Sequence, residues 1–246
     1  MSPAQLDAPR PPADFASLLA TKEPVLLIGG QAVNLWALYY KDRTTDLAPF
    51  VSRDADVLGD RDTLSELGRV IGVKPRFFPR RQPGNEVGVV IALDTEGRPL
   101  LVEVLRFVRG ATNKELREPA YSVLVGERPV LVRIPGPIAL LKTKIANVSE
   151  INQTGRQDGR HVAILARVMP AYLGDLQVAA IAGRLDERRL LGFLEQLIAV
   201  VTNARARKVL ADLKLEAPAL FAALNGDKLP KLKSFLEKRL PRVFPG

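Results

Sequence analysis

The chain reads as a mixed-sheet α/β fold followed by an α-helical C-terminal segment. Three observations lead there. Up to about residue 134, short apolar runs bounded by turn residues alternate with helix-spaced segments. Pro135-Gly-Pro137 breaks that alternation, and from there to the end apolar residues recur at helical spacing. The division is a tail and short helix over 1–20, an α/β domain over 21–134 and a helical domain over 135–246.

The elements follow in order. Residues 1–13 hold four prolines and no periodicity, which predicts a disordered or loosely docked tail. Phe15 to Ala20 reads as a short helix capped by Asp14. Val25 to Ile28 is a short apolar strand. Gln31 to Tyr40 is helical by its apolar residues at 32, 35, 36 and 39, with Trp36, Leu35 and Tyr39 facing the core. Asp54 to Leu58 is a second strand, and Asp62 to Ile71 a helix facing inward through Leu64, Leu67 and Ile71. Lys74 to Arg81 is a basic loop or edge strand. Val87 to Leu93 and Leu100 to Val108 form a hairpin around Asp94-Thr-Glu-Gly-Arg-Pro99. Tyr121 to Val125 and Val130 to Ile134 form another around Gly126. In the helical half, Leu190, Leu194, Leu197, Ile198 and Val201 make one apolar stripe.

Composition narrows the function classes. There is no cysteine, which excludes disulfides, thiolate metal sites and cysteine nucleophiles and suits a reducing cytoplasm. The first fifteen residues lack a basic region followed by an apolar one, so no signal peptide is expected. No apolar stretch approaches the roughly 18 to 20 residues of a membrane span. The net charge of +9 suggests a polyanionic partner, most simply RNA or DNA. Residues 201–246 carry ten Lys/Arg against four acids, so the excess sits mainly in the tail.

The chemistry concentrates between Leu26 and Leu58. On a strand, residues i and i+2 share a face, so Asp54 and Asp56 would lie side by side. Adjacent carboxylates repel, and burial makes each harder to keep charged. A divalent cation such as Mg²⁺, which prefers oxygen ligands, relieves both problems. Glu103, in LLVEVLRF, stands between Leu101 and Leu105 on an otherwise apolar face. A metal shared with the two aspartates would give it a partner, whereas an edge-strand position would leave it to solvent or a distant Arg. Gly29-Gly30, between a strand and a helix, is either a tight turn or a phosphate cradle made by backbone amides. Ser52 shares the carboxylate face of a straight strand, as a phosphate contact or a strand-start hydroxyl. His161, the single histidine, reads as a satisfied helix residue.

This order of Gly-Gly, helix, Asp-x-Asp strand and later carboxylate strand resembles the nucleotidyltransferase superfamily that includes DNA polymerase β. A second block, Lys144 within LLKTKIA followed by Arg156 and Asp158, is similar to the small AbiEii-type toxin nucleotidyltransferases of abortive-infection and toxin–antitoxin systems. Gln157 departs from that pattern where Lys is common, and His161 where a second acid often follows. The resemblance implies two Mg²⁺ ions, with Mn²⁺ an alternative, held by Asp54, Asp56 and Glu103. It implies an NTP substrate cradled by Gly29, Gly30, Ser52 and Arg156, with Lys144 on its phosphates and Asp158 supporting the site. Lys142 competes for the lysine role, since it lies about 200° from Lys144 on a helix. The implied acceptor is RNA, such as a tRNA acceptor end, and the implied protein partner an antitoxin. A small-molecule transferase of the aminoglycoside-modifying sort and a non-catalytic nucleic-acid-binding protein on the same fold are the other readings.

Overall fold

The structure, a computed structural model, describes residues 9–48, 50, 52–79 and 84–245. It is a mixed α/β protein, roughly half helical, built on a seven-stranded mixed sheet. A 3-10 helix, Pro12–Leu19, comes first. Strand β1, Leu26–Ile28, runs directly into helix α1, Gly29–Tyr40. Then come β2, Ala55–Leu58, α2, Arg61–Ile71, and the short edge strand β3, Arg76–Phe77. Strands β4, Glu86–Leu93, and β5, Pro99–Leu105, form the first hairpin. A short α3, Asn113–Arg117, leads to the second hairpin, β6, Ala120–Val125, and β7, Val130–Pro135. Helices α4, Pro137–Glu150, α5, Asp158–Ile181, α6, Glu187–Thr202, and α7, Ala204–Asp212, follow, with shorter helical turns beyond.

The strand order is β3-β4-β5-β2-β1-β7-β6. Strand β2 lies between antiparallel β1 and parallel β5, and the register places Ile28 opposite Asp56 and Asp56 opposite Glu103. Paired residues point to the same face, so these three side chains form a row across the centre of the sheet. The opposite face carries Leu27, Val57, Val102 and Val104, all buried in the main core with residues of α1 and α2. The row's own face has only a small apolar cap, where Leu116 covers Leu26, Ile28 and Leu58. That partial cover leaves the carboxylates reachable.

One continuous apolar cluster joins the two halves of the chain, from Phe15 and Trp36 to Leu165, Leu197 and Phe235. The Trp36 indole N–H donates to the Pro135 carbonyl at 2.9 Å and ties α1 to the break between the halves.

Several expectations change. The first helical segment starts at Pro12, because proline suits a first turn, and Asp14 lies inside it rather than capping it. Residues 1–8 lie outside the described residues, but Arg10 and Pro12 are buried. The Arg10 N–H donates to the Ser52 carbonyl at 2.8 Å, and the Gln31 amide donates to the Arg10 carbonyl at 3.0 Å. That stretch of the tail is docked, not loose. Tyr39 is 68% exposed, and Tyr40 instead stacks on Trp36 inside the core. Strand β5 stops at Leu105, and α3 arises from a capping box between Thr112 and Glu115. Arg80 and Arg81 lie outside the described residues. Helix α5, at 24 residues, is long and apolar enough to cross a membrane, contrary to the sequence reading; half of its apolar window is buried within the protein.

Candidate active site

The carboxylate row opens into a cleft of about 830 Å³. The cleft gathers Gly29, Gly30, Ser52, Asp54, Asp56, Glu103, Lys144, Arg156 and Asp158, which are the site residues expected from sequence. Lys142 is not among its walls. It points away and donates to Glu115 at 2.6 Å, where both side chains are substantially exposed.

Local structure explains each position. Strand β1 is only three residues long, and Gly29 turns the chain straight into α1 with φ of 65°. That left-handed value favours glycine, and a Cβ there would run into the Asp56 carboxylate. A Cβ on Gly30 would meet the Ser52 hydroxyl and the His161 ring. The N-terminus of α1 has no side-chain cap, so its first amides are open to an anion from the cleft.

Asp56 sits on β2, but Asp54 and Ser52 precede the strand. The shared-face argument therefore applies to Asp56 and Glu103 across strands rather than to Asp54 and Asp56 along one. Asp54 reaches the cleft from a bend, while buried Ser52 donates its hydroxyl to the Asp54 carbonyl at 3.2 Å.

Lys144 and Asp158 form a buried pair at 2.8 Å, with side chains 7% and 3% exposed. Arg156 donates to the other Asp158 oxygen at 2.8 Å, and Asn147 contributes at 3.3 Å. Burial pushes the Asp158 carboxyl up, but the Lys144 and Arg156 charges outweigh it and hold it at about 2. The opposite holds in the row. Burial, with Asp54 and Glu103 beside it, pushes Asp56 up to about 8 despite Lys144 and Arg156. Burial, then Glu86 and Asp54, push Glu103 up to about 7. Burial and the Lys144 charge hold the His161 imidazole down to about 3, so it is neutral.

Glu86 is a cleft carboxylate that strand periodicity hides. By alternation from Val89, which pairs with Glu103, residue 86 would face the core. A bulge between Glu86 and Gly88 sets Glu86 opposite Leu105 and turns it to the carboxylate face. Its Oε2 is buried without a partner among the described residues. His161 also departs from expectation. It is buried, yet neither ring nitrogen has a hydrogen-bond partner among the described residues.

For a divalent cation the donor chemistry fits: Asp56 and Glu103 offer carboxylate oxygens that burial first, and neighbouring acids next, make reluctant to ionise. Among the described residues, none of Asp54, Asp56 and Glu103 has a salt-bridge partner. No group of three or more Asp, Glu, His or Cys side chains among those residues is placed to hold a metal ion. Mg²⁺ does not require one, because it keeps several waters and is usually held by one or two carboxylates plus substrate phosphates. Comparison with family models, with curated proteins and with solved structures gives no match to this chain.

Proposed function

We propose that the cleft is the active site of a metal-dependent nucleotidyltransferase on a polymerase-β-like core. It would move a nucleoside monophosphate from an NTP to a hydroxyl acceptor. The observation that carries this reading is the row of Asp56 and Glu103 in register beside the uncapped, glycine-led N-terminus of α1. Carboxylates without ion-pair partners among the described residues and an anion-ready helix end on one wall suit a ligand that brings both cations and phosphates.

Asp54, Asp56 and Glu103 would hold two Mg²⁺, or Mn²⁺. When bound, these ions neutralise the triphosphate and acidify the attacking hydroxyl. The chain's own residues do the rest. Gly29, Gly30 and Ser52 seat the phosphates at the head of α1. Lys144, fixed by Asp158, places its ammonium beside the charge that develops on the leaving pyrophosphate. Arg156 orients the same carboxylate from the cleft mouth. The acceptor oxygen bonds to the α-phosphorus as the bond to the bridging oxygen breaks, and its proton passes to Glu103.

RNA, in particular a tRNA acceptor end, is the preferred acceptor, supported by the basic C-terminal segment and the AbiEii-like Lys144, Arg156 and Asp158 block. That block also supports a toxin role with a cognate antitoxin. One observation favours a small cationic acceptor instead: Glu86 adds an acid beside Glu103. Incubation with each α-labelled NTP, Mg²⁺ and either total tRNA or an aminoglycoside panel decides between them. Label on RNA is the expected result; label on the small molecules alone reverses the choice, and label on neither defeats the transferase reading.

A further inference from the structure

His161 is the single histidine of the chain and is only 5% exposed. It lies one turn after Asp158 on α5, on the side of the helix that carries the Lys144 pair. Both ring nitrogens are shut off from solvent and neither has a partner among the described residues. Buried polar atoms in folded proteins are nearly always paired, so two unmet nitrogens on one ring call for an explanation. The ring is not turned into the apolar core. It lines the cleft, with Cε1 against Gly30 in the first turn of α1. Ser52 stands against the same glycine, and the absence of a Cβ there is what lets the hydroxyl and the ring both pack closely on the head of the helix. The twelve-residue α1 offers its uncapped N-terminal amides to the cleft there.

We infer that His161 donates a hydrogen bond to a phosphoryl oxygen seated at the N-terminus of α1, between Ser52 and Lys144, and that inorganic triphosphate suffices to occupy this seat. The inference rests on reading the cleft as a nucleotide site but concerns only the phosphate end. A neutral imidazole has one donor and one acceptor; since both are closed off in the unliganded cleft, the ring turns on binding to bring its donor to the anion. Asp158 and Lys144 hold the neighbouring positive charge in place, so the seat combines helix amides, a hydroxyl, an imidazole N–H and an ammonium. The imidazole is a binding contact with no proton-transfer duty.

The single histidine makes the test direct. Imidazole ¹⁵N resonances of the full chain are followed while inorganic triphosphate is added with Mg²⁺, and affinity is measured by calorimetry for wild type, His161→Phe and His161→Gln. The expected results are a saturable shift of the nitrogen signals and binding about ten- to a hundredfold weaker in His161→Phe, the worth of one hydrogen bond to a charged group. His161→Gln, which keeps a donor, should recover part of the loss. The unliganded His161→Phe protein should melt no lower than wild type, because it removes two unmet buried atoms; a purely structural histidine would give the reverse. Imidazole signals that do not move, or wild-type affinity in His161→Phe, overturn the inference. Should His161→Phe fail to fold, the wild-type spectrum and His161→Gln still decide. Triphosphate binding with the expected shifts but no label transfer to any acceptor removes the transferase reading and leaves the phosphate seat standing. Label transfer with silent imidazole signals does the opposite.

Discussion

Asp56 and Glu103 hold protons more tightly in the folded protein than in the unfolded chain, at about 8 and about 7 against ordinary values of 3.8 and 4.5. Groups shifted upward stabilise the fold fully below the unfolded value, and that stability is lost as pH rises through the folded value. His161 and Asp158 are shifted downward and act on the acid side, below about pH 6.5. Without divalent ions, the melting temperature should therefore fall between about pH 6.5 and 8.5, and Asp56→Asn or added Mg²⁺ should flatten that fall. A wild-type melting temperature that holds level over this window contradicts the crowded-carboxylate account. Lys144 gives a second test. Lys144→Ala should lower kcat/KM by the equivalent of roughly 2–4 kcal/mol, while Lys142→Ala, whose side chain pairs with Glu115 and does not line the cleft, changes it little. Because Lys144 also partners buried Asp158, its loss should lower stability too. Adding Asp158→Asn should restore the melting temperature without restoring activity; recovery of both would make Lys144 a purely structural residue. At this scale sequence carried far: strand-face and helix periodicity singled out Asp56, Glu103 and Lys144, which line one cleft. It could not show that Asp54 and Ser52 fall before the strand, since strand ends leave little trace in composition.

Elements built from clear periodicity were legible in the chain, and irregular ones were not. Both hairpins, α1, α2 and the apolar stripe of α6 follow patterns of two or 3.6 residues. The β4 bulge breaks such a pattern, and with it the register that would have shown Glu86 at the site. Helix α3 spans five residues, too few for periodicity, and only its Thr112–Glu115 capping box marks it. His161 looked like an ordinary helix residue because its missing partners are a tertiary fact. The junction of β1 and α1 gives the prediction at this scale. Gly29→Ala forces a left-handed alanine, costing about 1–2 kcal/mol, and pushes the new methyl against Asp56. Lower thermal stability and weaker NTP binding should appear together. A variant that loses only stability would mean that the turn does not shape the phosphate seat.

The whole molecule joins a sheet with one sealed face to helices that form the far wall of the cleft. The sequence suggested two domains; the apolar cluster that runs through both halves is a long-range property no local pattern contains. Charge at this scale is less free than its surplus implies. In the C-terminal segment Arg205 pairs with Glu150 at the cleft, and Arg239 with Glu195 at 2.9 Å. If that segment holds an RNA acceptor, replacing Arg205, Arg207, Lys208, Lys231, Lys233 and Lys238 with Gln should flatten the salt dependence of RNA binding by about five units of slope for duplex and less for single strands. An unchanged slope would make these residues a solvated face and favour a small acceptor. If the register-matched acids beside α1 serve nucleotide transfer, the deciding measurement is Mg²⁺-dependent transfer of α-labelled NTP by wild type and Asp56→Asn side by side. Wild type should label the acceptor and release pyrophosphate, Asp56→Asn should do neither, and the variant should melt at the same temperature or higher. Equal transfer by both proteins, or loss of transfer only because Asp56→Asn unfolds, would contradict that role.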